Sequence, residues 1–288
     1  MKNTKASRPS FDKLIRRLVP SLSKLTYNKG IKLALDFPDS MLKLAFPEFR
    51  KLPPNHMRVR VGVGNRLYNN HLMYLNDAVF FWMDALQSGW IKMDSTILDI
   101  GSGCGRSAHV IRDFSSNLGR FCGKYIGVDI DKEMIQWCEA NFDSARFRFH
   151  LSTNKSSSYQ SADKSDDLYV IPEPESSVDF VFSKSLFTHL LERDLENYMR
   201  ESYRLLRSGG YMNHSVFCLD HPPPTFGTRH TFSHQLDNAH VESLAQPEAA
   251  VAYSENYLLR LCEEVGFCGA KIFHEPRFWQ PYLVAYKK

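Results

Sequence analysis

Residues 96–106 read Thr96-Ile97-Leu98-Asp99-Ile100-Gly101-Ser102-Gly103-Cys104-Gly105-Arg106. An apolar run suited to a buried strand passes directly into three glycines at alternate positions, and a helical stretch follows. Glycines so placed permit a tight turn and let a ligand lie against bare backbone. Their spacing is Gly-x-Gly-x-Gly, whereas a loop that seats a pyrophosphate on a helix N-terminus has Gly-x-Gly-x-x-Gly. Asp99, just ahead of the glycines, suits a ligand carrying an ammonium and a sulfonium better than one carrying two phosphates. The stretch therefore speaks against NAD.

Working outward, Tyr125-Ile-Gly-Val-Asp129 reads as a further strand, ending in a carboxylate 24 positions beyond Gly105. In a βαβ unit that strand lies beside the first, and its terminal carboxylate can accept both hydroxyls of a ribose. Asp131 reads as the cap of the next helix. Each element alone is commonplace, but their order and spacing together indicate a nucleoside-containing cofactor.

Further strands are expected at 146–151, 178–182, 210–217, 270–273 and 282–286, with helices at 74–86 and 254–264, the last closed by Gly266. The alternation predicts a parallel sheet covered on both faces. Residues 152–177 are polar and Ser-rich and read as a long loop. Residues 218–249, with Pro222, Pro223 and Pro224, four histidines and little hydrophobic periodicity, read as a lid insertion. Ahead of the core, Phe11, Leu14, Ile15 and Leu18 recur at helical spacing, and Pro20, Pro38, Pro47, Pro53 and Pro54 read as breakers. The expected division is a basic accessory region at 1–73 and a cofactor-binding domain at 74–288.

From Thr96 to Tyr286 the chain resembles class I S-adenosylmethionine-dependent methyltransferases. Asp99, Gly101, Gly103 and Gly105 match that family's first motif, Asp129 its ribose-binding acidic residue, Asp179–Leu190 its fourth-strand segment, and Leu205–Tyr211 the turn before its fifth strand. The resemblance implies an α/β, Rossmann-like, mostly parallel seven-stranded sheet with its last strand, 282–286, antiparallel, helices on both faces and an N-terminal helical extension. It implies S-adenosyl-L-methionine as cofactor, held by Asp99, Gly101, Ser102, Gly103, Gly105, Arg106, Asp129, Ile130, Ser152, Asn154 and Ser183. Ser152 stands where many relatives have an acidic residue that holds the adenine amino group, so that role passes to Asn154 or to backbone. Arg58-Val-Arg60, Ser185–His189 and Trp279–Tyr286 look like bacterial small-molecule and sugar O-methyltransferases.

Methyl transfer to a hydroxyl needs positioning and one base. His189, following the fourth strand, is the first candidate, since imidazole titrates near neutrality. Asp220 and His221 form a second, as an adjacent carboxylate can orient and charge an imidazole. Either could serve only its own turn. Tyr68, Tyr74, Phe81, Trp82, Phe187, Phe226 and Trp279 either wall an acceptor pocket or, for most of them, fill the core. Arg58 and Arg60 alternate on a strand-like stretch and could meet an anionic or polyhydroxylated acceptor. His221, His230, His234 and His240 lack metal-ligand spacing and a carboxylate cluster, so no metal is expected.

Of 288 residues, 43% are hydrophobic and 24% charged, which excludes a disordered chain. Six scattered cysteines without a Cys-x-x-Cys pair read as reduced thiols, and with no spanning apolar run they imply a cytoplasmic protein. Residues 1–60 carry 14 Lys/Arg against 4 Asp/Glu, so the net charge of +4 hides a basic arm. A solvated face is the simplest account of that arm, peripheral contact with an anionic membrane is the alternative, and nucleic acid is disfavoured. The expected function is methyl transfer to a small-molecule acceptor, at a hydroxyl of a sugar or glycoconjugate. The rivals are a lipid or nucleic-acid methyltransferase recruited by the arm and a non-catalytic cofactor-binding protein. The sequence leaves the oligomeric state open.

Overall fold

Seven strands make the central sheet: β1 (Thr96–Ile100), β2 (Lys124–Asp129), β3 (Phe147–Leu151), β4 (Val178–Ser183), β5 (Leu206–Ser215), β6 (Cys268–Phe273) and β7 (Tyr282–Tyr286). Their order across the sheet is β6-β7-β5-β4-β1-β2-β3. β7 runs antiparallel to both β5 and β6, and the pairings among β1 to β5 are parallel. The computed structural model describes residues 25–61, 68–117, 119–153, 168–222, 230–274 and 280–288. The helical pattern at Phe11–Leu18 lies outside them.

The central strands are buried on both sides because alternate residues enter two cores, while the edge strand β6 has no buried residue. Leu98, Ile100, Ile126 and Val128 face one cluster, which also takes Leu195, Tyr198 and Met199 of α5 (Glu192–Leu205) and Leu258 and Leu261 of α6 (Glu255–Val265). Ile97, Tyr125, Phe180 and Phe182 face the other, with Phe81 and Trp82 of α2 (His71–Gln87), Ala108 and Ile111 of α3 (Arg106–Asp113) and Ile135 of α4 (Lys132–Asn141). Asp131 caps α4 by accepting from the amides of Glu133 and Met134, as its place in the sequence predicts. Ser254 caps α6, and Gly266 ends it in the left-handed conformation.

Two expectations are corrected. Pro38 does not break the chain: it sits inside α1 (Lys29–Ala45), a helix of 17 residues capped by Asn28. The helix survives the missing N–H because its inner face is tied down, with Asp39 bonded to Arg58 at 2.7 Å and Lys43 at 3.0 Å, and Asp36 to His56 at 2.6 Å. The described residues of 218–249 are not irregular but carry short strands. Phe217–Cys218, His234–Leu236, Ala239–Val241 and Val251–Tyr253 form a four-stranded sheet in which Phe217, Phe232, Ala250 and Ala252 are buried. Strands of two or three residues are too short to show period two.

Candidate functional site: the carboxyl edge of the sheet

The loop after β1 closes onto β2. The amides of Gly101 and Ser102 both donate to the Val128 carbonyl, at 2.7 and 3.0 Å, and the Gly103 amide donates to Asp129 Oδ2 at 2.7 Å. The three glycines have φ of +83°, +54° and +74°, a region that side chains rarely adopt. A Cβ on Gly101, Gly103 or Gly105 would lie 3.1, 3.1 and 3.0 Å from Leu186, Val61 and Phe142. Thus these positions are glycine for conformation and for close packing by the protein's own side chains. The tight turn is as the sequence predicts; the close packing by Leu186, Val61 and Phe142 is not legible in it.

Asp129 is held at the carboxyl end of β2, with Oδ1 accepting from the Asp131 amide at 2.9 Å. A carboxylate offers about four acceptor positions, and these two bonds leave room for two hydroxyls. Burial pushes its pKa up to about 6, against the pull of the amides. Ile130 is half-buried between the two aspartates. Asp99, at the end of β1, accepts a short hydrogen bond from the Tyr125 hydroxyl, and burial raises it to about 7. The Ser102 hydroxyl is buried without a hydrogen-bond partner and lies over Gly127, where a Cβ would come within 2.8 Å of it. Buried carboxylates with spare acceptor capacity beside an unmatched hydroxyl fit a cofactor that brings vicinal hydroxyls and positive charge.

Ser152 is fully buried, with its amide donating to the Asp129 carbonyl at 2.8 Å and its hydroxyl 3.3 Å from that of Tyr198. It stands beside Asp129 at the end of β3. Asn154 lies outside the described residues. Arg106, at the start of α3, reaches Asp77 of α2 at 3.7 Å. Ser183 turns to the other side of the sheet: its hydroxyl pairs with His214 Nδ1 at 2.9 Å, whose ring stacks on Phe187 at 4.0 Å and whose pKa burial lowers to about 3. The structure gives Ser183 to a buried network rather than to the cofactor side.

The next residue faces the other way. Lys184, after β4, places Nζ 2.5 Å from Asp77 Oδ2, and burial lowers its pKa to about 8. The charges of Arg106 and Lys184 both favour the ionised form of Asp99, against the larger effect of burial. Ser185 adopts φ of +60°, strained for a residue with a side chain, and is fixed by Ser215 Oγ at 2.6 Å and Gln280 at 3.0 Å. Two residues before Ser215 on the same strand, the Asn213 side-chain amide is buried with neither atom hydrogen-bonded. The sequence reading missed Asp77, Lys184 and Asn213. The alternation of faces along a strand, applied at Ser183, would have indicated Lys184.

Of the predicted bases, His189 donates from Nδ1 to the Glu248 carbonyl, 2.9 Å away, and burial lowers its pKa. It ties the turn after β4 to the small sheet. Asp220 and His221 do not form the expected pair. Asp220 accepts from the Glu255 amide at 2.7 Å at the N-terminus of α6, and His221 Nε2 lies 3.0 Å from the Glu255 carboxylate. Free helix N–H groups and an acidic neighbour compete for both side chains and win. Among the described residues no cluster of potential metal ligands gathers; His230 stacks on Phe232, and His234 and His240 lie on strands of the small sheet.

Arg58 and Arg60 are corrected as well. Both are buried, on a single helical turn (Asn55–Arg58) and the bend after it. Arg58 serves Asp39, while Arg60 binds Asp131 at 3.0 Å and Glu133 at 2.8 Å and stacks 3.8 Å over the Tyr27 ring. Tyr27 donates to Asp131 at 2.5 Å. The accessory region is thus anchored on Asp131, whose amide in turn donates to Asp129. Tyr74, Phe81, Trp82 and Phe187 are core residues, Tyr68 lines a groove against α1, and Phe226 and Trp279 lie outside the described residues.

Residues 98–213 match a family model described as a methyltransferase domain. Among solved structures the chain is similar to the YcgJ protein of Bacillus subtilis, at 18% identity over 69% of this chain and 71% of that one, TM-score 0.46. It is also similar to an S-adenosylmethionine-dependent methyltransferase of Methanosarcina mazei, at 17% identity over 70% and 96%, TM-score 0.46. A third is the 1,6-didemethyltoxoflavin-N1-methyltransferase of Burkholderia thailandensis, at 16% identity over 75% and 85%, TM-score 0.43.

Proposed function

We propose that this chain, whose residues 98–213 match a methyltransferase-domain model, is an S-adenosylmethionine-dependent methyltransferase that methylates a hydroxyl of a small polar acceptor held over the ends of β4 and β5, with Lys184 taking the proton. The observation that carries the reading is the position of Lys184 Nζ, half-buried at the end of β4 and 2.5 Å from Asp77, with its charge felt at Asp99. When bound, the cofactor supplies a methyl group already activated by its sulfonium. Asp129 would hold the ribose hydroxyls, and Asp99 and the 101–105 loop the charged end.

The protein then has two tasks. It fixes the acceptor oxygen, for which Ser185, Gln280 and the unmatched amide of Asn213 supply polar groups at the mouth and its floor. It also removes the hydroxyl proton, and a lysine brought to about 8 is part neutral near physiological pH. Asp77 draws the amine toward the charged form while burial opposes it, so the ammonium formed on proton uptake is stabilised where it appears. The polar mouth supports a polyhydroxylated acceptor, a sugar or glycoconjugate.

The test is transfer of labelled methyl to a panel of polyhydroxylated and phenolic acceptors, comparing the chain with Lys184→Met. The reading expects hydroxyl methylation whose kcat rises with pH through about 8, and loss of that limb in the variant. Transfer only to nitrogen or carbon, or an unchanged pH limb, would defeat it.

A further inference from the structure

We infer that the outer face of α1 is a docking surface for an anionic lipid membrane. The helix is inverted for a soluble protein. Its charged residues Lys32, Asp36, Asp39 and Lys43, one face at spacings of three and four, point inward to Glu133, His56, Arg58 and one another. The opposite stripe carries Leu33, Phe37, Met41 and Leu44, exposed by 74, 68, 56 and 69%. Apolar surface in solvent on that scale marks an interaction site. The stripe borders an apolar groove lined by Ala34, Leu35, Pro38, Leu42 and Tyr68.

Charge selects the occupant. Lys29, Arg50 and Lys51 lie exposed at the two ends of α1. Residues 1–24 add seven Lys/Arg against the single acidic Asp12. A second copy would bring two such basic regions together, and residues 1–24 are themselves basic, whereas an anionic lipid surface complements the charge and solvates the apolar stripe. The helix lies in the interface and does not cross it: among the described residues no helix is long and apolar enough to span. Tyr27 and Lys32 bind α1 and its approach to Asp131 and Glu133, so the surface is held next to the ribose-side carboxylate.

The test is co-sedimentation of the full chain with vesicles of phosphatidylcholine alone and of phosphatidylcholine with phosphatidylglycerol, beside the double variant Phe37→Glu, Met41→Glu. Both positions are exposed, and cofactor titration of the variant checks that it is folded. Binding to the anionic vesicles is expected, weaker in salt and without the charged lipid, and lowered more than threefold, to about tenfold, in the variant. No binding to anionic vesicles, or a variant within threefold of the unaltered chain, would overturn the inference. So would self-association that the variant abolishes in a chain that ignores vesicles, which would assign the face to a second copy. The assay needs no acceptor and no turnover, so its outcome is independent of the role given to Lys184.

Discussion

The carboxyl edge of the sheet has two halves that differ in how they are held. At β1 and β2 the functional atoms are fixed within one βαβ unit: Asp129 accepts from the amides of Gly103 and Asp131, the loop amides close on Val128, and Asp99 is held by Tyr125 of the adjoining strand. At β4 and β5 they are fixed by side chains from distant elements, Lys184 by Asp77 of α2 and Ser185 by Gln280 ahead of β7. The first half is a local structure that one short stretch of sequence can write. The second depends on which helix and which tail meet above the sheet, and so it is the half that can vary with the acceptor.

The largest effect that would sharpen this division belongs to Lys184. Replacing it with Met should lower kcat by roughly 10²–10⁴, the range for a lost general base, while the cofactor Kd stays within threefold. Rapid-quench single turnovers and calorimetry measure the two separately, and a parallel loss of both would merge the halves.

Asp99 comes next. Its carboxyl is raised to about 7 by burial, so below that pH it is protonated and above it a buried charge awaits a cation. Cofactor affinity should therefore fall as pH drops through about 7, and Asp99→Asn should lose about tenfold in affinity and the pH dependence together. The sign for stability is opposite. The unfolded carboxyl releases its proton near its ordinary value and the folded one only near 7, so the unliganded protein loses stability as pH rises between them. At pH 8 the Asn variant should melt roughly 2–4 °C higher, about 1 kcal/mol. A variant that melts lower would show that Asp99 is not a destabilising charge.

The smallest effect tests the rejected pair. Asp220→Ala should cost about 1 kcal/mol through the frayed start of α6, seen as a lower melting temperature, with kcat unchanged. A hundredfold fall in kcat at an unchanged melting temperature would restore Asp220 to the chemistry.

What the sequence made legible follows the same division. The glycines at 101, 103 and 105 and Asp129 are readable because strand, turn and strand lie within about a βαβ unit of one another. The seven-stranded, mostly parallel sheet with its antiparallel last strand at 282–286 follows from the family resemblance, and the pairings agree. Ser183 was assigned to the wrong side because the strand's alternation was not carried past its end, where His214 waits on one face and Asp77 on the other. Arg58 and Arg60 were read as surface residues because their partners, Asp39 and Asp131, lie 19 and 71 positions away. Pro38 misled for a related reason: local propensity is overridden where ion pairs hold the helix from inside. The small sheet at 217–253 left no periodic trace in strands so short.

The measurement that bears most directly on the account is calorimetric titration of S-adenosylmethionine into the unaltered chain, Asp129→Ala and Lys184→Met. Removing a buried carboxylate that takes two hydroxyls should weaken binding by about a hundredfold, at about 1.5–3 kcal/mol for each charged hydrogen bond. The unaltered chain and Lys184→Met should saturate alike. Binding to Asp129→Ala within threefold of the unaltered chain, or no saturable binding to the unaltered chain, would contradict the cofactor site described above.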